Sequence, residues 1–353
     1  MTRPPRGAGS AEDERARARR TAALLGTAGQ VWPWWLERLL DPASPAFVAL
    51  PGDVGVLPNV TGRSWTRLGT RGGSSVATVD PGGLVTPAAG GWSLDWWVGA
   101  DDRWHLPSRE VAVRQRAVDG APVVETAMRV PGGDIVATAW AVPWGDAPGT
   151  GSLVVLEVAN DTPVPVALAL AVRPYDPEGA SVVGSVALVD DVVVTVDGRP
   201  ALVLPRPPAR VAAASLTVED PLSVVVGGKA GPASSLPPGG VRCREGLAAA
   251  AFLVPLTHRT SVRVVLPLGA VEPRRRRARP PLPTASSLPP SSAVVAGWRS
   301  HLAVGTRVDV PDERLATVLG ASRSALLLGG VEALGLGPQA AVAGALDRLG
   351  HHA

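Results

Sequence analysis

Residues 185–204 read SVALVDDVVVTVDGRPALVL. The runs SVALV, VVVTV and ALVL are separated by Asp190-Asp191 and by Asp197-Gly198-Arg199-Pro200. Branched side chains such as Val and Thr suit a pleated surface, and Asp-Gly tolerates the positive φ of a tight hairpin turn. The stretch therefore predicts a three-strand antiparallel meander. Outward from it the same pattern recurs. Residues 111–118 and 123–130 flank Asp119-Gly120, and residues 135–142 follow Pro131-Gly132-Gly133-Asp134. Residues 153–158, 164–172, 216–218, 222–226, 248–254 and 262–268 continue the series. About a dozen short strands at this spacing predict a mainly β fold, an antiparallel double sheet, over residues 47–272. Strands do not alternate with helices, which argues against parallel α/β architectures.

Composition agrees with this reading. Forty Gly and 36 Pro in 353 residues disfavour long helices, because Gly loses the most backbone freedom and Pro lacks the N–H a helix interior needs. A hydrophobic fraction of 46% with 18% charged residues requires a folded body. The pI near 9.9 does not signal nucleic-acid binding, since the formal net charge is only +3 and Lys229 is the single lysine. Arginine dominance of this kind reads as coding bias. One cysteine, Cys243, excludes an intramolecular disulfide, so nothing points to an oxidising compartment. The thiol reads as a small core or surface residue; Arg242 and Arg244 flank it without a His and acid pattern for nucleophilic catalysis. Arg19-Arg20 before residues 21–28 has the outline of an export signal, but Pro33, Glu37 and Arg38 follow a short apolar stretch. The expectation is a cytoplasmic protein without a membrane span and without a cofactor.

Four regions are expected. Residues 1–46 hold an Arg-rich lead and a docking segment with Trp32, Trp34 and Trp35. Residues 47–272 form the β body. Residues 273–310 contain the tract PRRRRARPPLP, read as a solvated linker, and a final strand. Residues 311–353 hold two helices. The first opens at Pro311-Asp312-Glu313 with Leu315, Val318, Leu319, Ser322 and Leu326 on one face and Gly329-Gly330 as its stop; the second spans residues 340–349.

The stretch that speaks to function is GWSLDWWVGADDRWHLPSRE, residues 91–110. Trp92, Trp96, Trp97 and Trp104 alternate with Asp95, Asp101, Asp102, Arg103 and His105. Indole faces stack on the C–H surfaces of sugars while carboxylates and guanidinium bond hydroxyls, so these nine residues are carbohydrate-contact candidates. Taken by themselves the tryptophans read rather as core, with the polar residues capping turns, since aromatic clusters are usually core. Asp101, Asp102 and His105 have metal-ligand chemistry, but no second His joins them at a recognisable spacing, so no metal is assigned.

Four strings carry a family resemblance: LPNVTGRSWTRLGTRG (57–72), VTPAAGGWSLDWWVGADDRWHLPSRE (85–110), LALAVRPYDPEG (168–179) and VDVPDERLATVLGASRSALLL (308–328). Together they resemble the N-terminal part of bacterial six-hairpin glycosidase superfamily proteins and are similar to glycogen-debranching-type glucosidases. The resemblance implies a β-supersandwich followed by an α/α toroid whose inner helices carry the catalytic carboxylates, with residues 311–328 as the first toroid helix. Where relatives would continue with an aromatic-rich segment and an Arg-Asp pair, this chain reads GLGPQAAVAGALDRLGHHA (335–353). Asp347 and Arg348 stand in a different order, so no catalytic residue carries over. The expectation is a truncated or stand-alone relative, a non-catalytic scaffold or α-glucan contact. The rivals are a glycoside hydrolase with acids among Asp95, Asp101, Asp102 and Glu110, and an interaction subunit. The expected partners are an α-glucan or oligosaccharide, and a helical chain or second copy through residues 311–349, with no nucleic acid and no membrane.

Overall fold

The computed structural model describes residues 65–351 except 74, 88–90, 145–150, 177–178, 269–281 and 329–335. The Arg-rich lead, the Trp32 to Trp35 segment, the Arg274 to Arg277 run and Gly329-Gly330 lie outside the described residues.

The chain opens with β1 (Thr66–Leu68), β2 (Ala77–Val79), β3 (Val85–Thr86), β4 (Ser93–Gly99) and β5 (Trp104–His105). A four-strand meander follows: β6 (Val113–Ala117), β7 (Val123–Val130), β8 (Gly133–Pro143) and β9 (Ser152–Asn160). Next come β10 (Val166–Arg173), the short pair β11 (Tyr175–Asp176) and β12 (Gly179–Ala180), then β13 (Ser185–Val189), β14 (Val193–Val196), β15 (Arg199–Val203) and β16 (Arg210–Ser215). Helix α1 (Pro221–Val226) precedes β17 (Val241–Arg242), β18 (Ala248–Leu256) and β19 (Thr260–Leu268). Helices α2 (Ser291–Ala303), α3 (Glu313–Leu327) and α4 (Leu336–Arg348) close the chain.

These strands build the expected antiparallel double sheet. One sheet runs β1-β2-β3-β4-β10-β18-β16, with β5 paired to β4; the other runs β17-β13-β14-β15-β19-β9-β8-β7-β6. The meander of residues 185–204 is β13, β14 and β15 in the second sheet. Its turns have the backbone that their residues predict: φ is +48° and +59° at Asp190 and Asp191, and +51° and +72° at Asp197 and Gly198. Asp119 and Gly120 repeat the arrangement at +50° and +69° between β6 and β7. Positive φ at both central positions gives the twist that joins neighbouring strands without splaying them.

Strand alternation divides the apolar side chains into three layers. From β4, Leu94, Trp96 and Val98 enter the core between the sheets, where they meet Leu168, Leu170, Phe252, Met128 and Leu156. Trp97 takes the opposite side and packs with Leu106, Ala169, Ala251, Leu222 and Val225 under α1. On the outer face of the second sheet, Trp140, Val142, Leu153, Val155 and Val265 are covered by Val295 and Trp298 of α2 and by Leu327 of α3. Each such aromatic or aliphatic side chain contributes about 1.5–3 kcal/mol by leaving water. The C-terminal helices therefore belong to the sandwich body.

Four expectations are corrected. Residues 216–218 and 222–226 are not strands. Asp220 caps a helix there by accepting from the Leu222 amide at 2.9 Å, and Pro221 fills the first turn, where a missing N–H costs nothing. Residues 291–303, expected to hold linker and strand, form α2, because Val295 and Trp298 lie three apart and reach the sheet together. Helix α3 begins as expected, with Asp312 accepting from the Arg314 and Leu315 amides, but its packing face is rotated. Ser324 and Leu327 are buried, whereas Leu315 and Val318 are 48% and 59% exposed. Close backbone approach sets this rotation. Gly320 lies against Gly120, and the Ser324 hydroxyl donates to the Gly120 carbonyl. Helix α4 starts at Leu336 rather than at residue 340.

Candidate functional site

Strands β4 and β5 form a hairpin with Gly99 opposite Trp104 and Val98 opposite His105. The Ala100 amide donates to the Arg103 carbonyl at 3.0 Å, closing the loop. Gly99 leaves room for the neighbouring indole: a Cβ there would stand 2.9 Å from the Trp104 ring and push it aside. The indole thus lies flat on the partner strand, half-buried, while Asp101, Asp102 and Arg103 project into solvent.

Behind this loop sits His105, 3% exposed. Its Nε2 is 2.9 Å from Asp102 Oδ1 and its Nδ1 is 3.2 Å from Glu110 Oε1. Glu110 returns to the hairpin because its amide donates to the Leu106 carbonyl, closing a turn over residues 106–110. There it takes a two-pronged contact from Arg103, with the second bond at 3.1 Å. Hydrogen bonding from His105 holds the Asp102 carboxyl below the usual range, and hydrogen bonding from Arg103 does the same for Glu110. Glu110 in turn raises the Arg103 guanidinium. The result is a hydrogen-bonded quartet of Asp102, Arg103, His105 and Glu110 at the edge of the first sheet, with the Trp104 indole beside it.

The structure separates the other candidates from this edge. Trp96 and Trp97 are fully buried on opposite sides of β4 and offer no face to a solute, which corrects their assignment as sugar contacts. Asp95 is also enclosed. It accepts from the Trp96 amide at 2.9 Å and from Trp97 Nε1 at 2.8 Å, so its polar atoms serve the fold. Burial raises its pKa to about 6, against the opposing bond from Trp97. Trp92 is half-buried against the inter-sheet core. Of the nine candidates, the hairpin gathers Asp101, Asp102, Arg103, Trp104 and His105, and adds Glu110.

Sequence reasoning did not find the Arg173 cluster. Arg173 at the end of β10 is wholly buried and makes a two-pronged ion pair with Asp220, one arm at 2.7 Å. It donates to the Tyr175 hydroxyl at 3.0 Å and lies over the Tyr175 and Trp97 rings at 5.1 and 5.4 Å. Burial works against its charge, but Asp220 and Tyr175 outweigh burial and leave it more firmly protonated than an ordinary arginine. The available signal was an Arg ending the apolar run LALAVR together with the Asp-Pro pair at residues 220–221. Asp80 is a second buried acid, bonded by the Gly82 and Leu84 amides at 2.8 Å and raised by burial to about 7. Cys243 is buried, receives the Ser215 hydroxyl at 3.0 Å and directs its thiol to Glu245 at 3.2 Å. Among the described residues no group of three or more His, Cys, Asp or Glu is placed to hold a metal ion, and no helix is long and apolar enough to cross a membrane.

The architecture defines a mainly β, antiparallel double-sheet protein capped by C-terminal helices. No family model matches the chain, and no curated protein matches it. Among solved structures it is similar to the crystal structure of bacterial glucoamylase complexed with acarbose, with a TM-score of 0.48 and 9% identity. That similarity covers 80% of this chain and 42% of the other, so the chain spans less than half the length of that structure.

Proposed function

We propose that the chain is a non-catalytic, cytoplasmic β-sandwich of a glycosidase-like carbohydrate-processing protein, serving as scaffold and as an α-glucan contact through residues 101–104. The observation that carries this is the partly buried Trp104 ring, seated on Gly99 beside the ionised side chains of Asp102 and Arg103. A flat apolar face next to fixed acceptors and donors is what a sugar ring requires. The family resemblance of the sequence points to the same class.

Protonation supports the non-catalytic part of the reading. Glycoside cleavage needs a protonated carboxyl and an ionised carboxylate facing each other across the scissile bond. Here the carboxyls with raised pKa, Asp80 and Asp95, are enclosed, while Asp102 and Glu110, which reach the surface, are held low. Retention of the purified protein on amylose tests the reading, with Trp104→Ala expected to abolish it. Retention unchanged in Trp104→Ala, or sustained release of glucose from maltooligosaccharides, would overturn it.

A second reading, an interaction subunit, is favoured by the exposed apolar side chains of the C-terminal helices. Leu315 and Val318 of α3 are joined by Leu336 of α4 at 85% exposure. Association with a helical chain or a second copy would cover them, and concentration-dependent mass in light scattering would reveal the latter.

A further inference from the structure

We propose that the outward apolar stripe of α3 is covered by this chain's own Trp-rich segment, residues 32–40, which lies outside the described residues. The assignment does not rest on the glucan-contact reading. It stands against the interaction-subunit reading, because one face cannot serve both.

The contact between Gly320 and Gly120 turns Ser324 and Leu327 inward and leaves the apolar stripe of α3 facing out. Leu315 and Val318 are exposed, and Leu319, the next position of the stripe, is half-buried. Half of the exposed large apolar side chains among the described residues fall within residues 304–336: Val304, Val308, Leu315, Val318 and Leu336. Helix α4, which touches α3, has no buried residue. Apolar side chains scattered singly need no partner, but a concentration of them marks a contact surface.

The occupant carries the matching pattern. Residues 31–40 read VWPWWLERLL. Trp32, Trp35, Leu36, Leu39 and Leu40 stand at i, i+3, i+4, i+7 and i+8, the spacing of one apolar helical face, and Glu37 and Arg38 fall off it. On α3, Leu315, Val318, Leu319 and Ser322 follow the same i, i+3, i+4, i+7 spacing. Two stripes of this kind bury each other when one lies along the other.

The tether selects this segment over a separate chain. The described body starts at Trp65, and the stretch just after β1 is tied to the end of α3: Arg71 pairs with Leu328, and Gly69 lies beside the Leu328 side chain. From Leu328 back along the helix to Leu315 is about 20 Å at 1.5 Å per residue. Residues 41–64 join Leu40 to Trp65, and a flexible tether of that length has an r.m.s. span of roughly 27 Å. Span and distance are comparable, the condition under which an intramolecular contact has its highest effective concentration, on the order of millimolar. A second copy or a foreign helix would have to reach that concentration to compete.

The test uses the full chain with p-benzoylphenylalanine placed at Val318, irradiated at micromolar concentration and read by denaturing gel and peptide mass spectrometry. The expected product is a cross-link within one chain to residues 32–40. The same photoprobe at Val111, an exposed site in the turn before β6, should give none. Leu36→Glu combined with Leu39→Glu should cut the Val318 yield roughly tenfold or more, because two leucines that leave water become charged. Leu315→Asp, on the exposed side of α3, should do the same and stands in if the first variant does not fold. A product of doubled mass would overturn the proposal and give the face to a second copy. Cross-links to other residues, no cross-link at all, equal yields from Val318 and Val111, or a yield untouched by the charged variants would overturn it as well.

Discussion

Replacing Asp220 by Asn isolates the contribution of one buried charge. Asparagine caps a helix as well as aspartate does, so the bond to the Leu222 amide at the start of α1 survives. What is lost is the counterion of Arg173, which is fully enclosed and has Asp220 as its two-pronged partner. Removing one member of a buried pair costs about 3–5 kcal/mol, because the other charge stays buried and uncompensated. A second acid limits the cost: Asp95 already interacts with Arg173, and Asp220 raises the Asp95 pKa. With Asp220 neutral, Asp95 ionises more readily and takes over part of the compensation. The expected loss is therefore near the lower end, about 3 kcal/mol at neutral pH. Equilibrium urea unfolding followed by tryptophan fluorescence measures it. Adding Arg173→Met removes the stranded charge, so the double variant should lose less than the sum of the singles, by on the order of 2 kcal/mol. A loss below about 1 kcal/mol in Asp220→Asn, or strict additivity, would refute the account of the cluster.

Two further outcomes follow from the buried acids and the turns. Burial raises Asp80 to about 7 and Asp95 to about 6, above the ordinary aspartate value of 3.8, so the folded state holds their protons longer than the unfolded chain does. Their stabilising contribution is complete at acid pH and is lost as pH rises from about 4 to about 7. The urea midpoint should be higher near pH 5 than near pH 8, and Asp95→Asn should flatten the difference. Gly240 has φ of +76°, and a Cβ there would stand 2.0 Å from the Val186 carbonyl oxygen. Gly240→Ala should cost at least about 2 kcal/mol, read as a lowered melting temperature with the β-sheet circular dichroism retained below it.

The sheets were legible because their signals are local. Asp197-Gly198 and Asp119-Gly120 dictate turns by their own backbone preference, and the β-branched runs around them have nowhere else to go. Helix α1 was misread as a strand because LSVVV carries the same β-branched signal; the Asp220-Pro221 cap outside the run decided the matter. The face of α3 was misassigned because side-chain periodicity says nothing about where two glycine backbones can touch, and Gly120 lies two hundred residues before Gly320 in the chain. In the candidate site the hairpin tip was visible, since Asp101 to Trp104 interrupt an apolar strand. The sorting of Trp96, Trp97 and Trp104 was not, because alternation in β4 sends two of them into different cores and both cores are apolar. The Arg173–Asp220 pair spans 47 residues, a separation that no local pattern encodes.

The order of strands in the first sheet bears on how the protein is made. β10 is buried along nearly its whole length and lies between β4 and β18, with Val172 opposite both Leu94 and Ala250. A ribosome delivers β4 well before β10 but supplies β18 only after roughly eighty more residues, which at about 5–20 residues per second takes on the order of ten seconds. During that interval one side of β10 is an unpaired edge whose two faces are both apolar. Such an edge recruits any other extended chain nearby. Slowing translation between β10 and β18 is therefore expected to raise the share of nascent chains that aggregate, which synonymous slow codons in that interval and the soluble yield would measure.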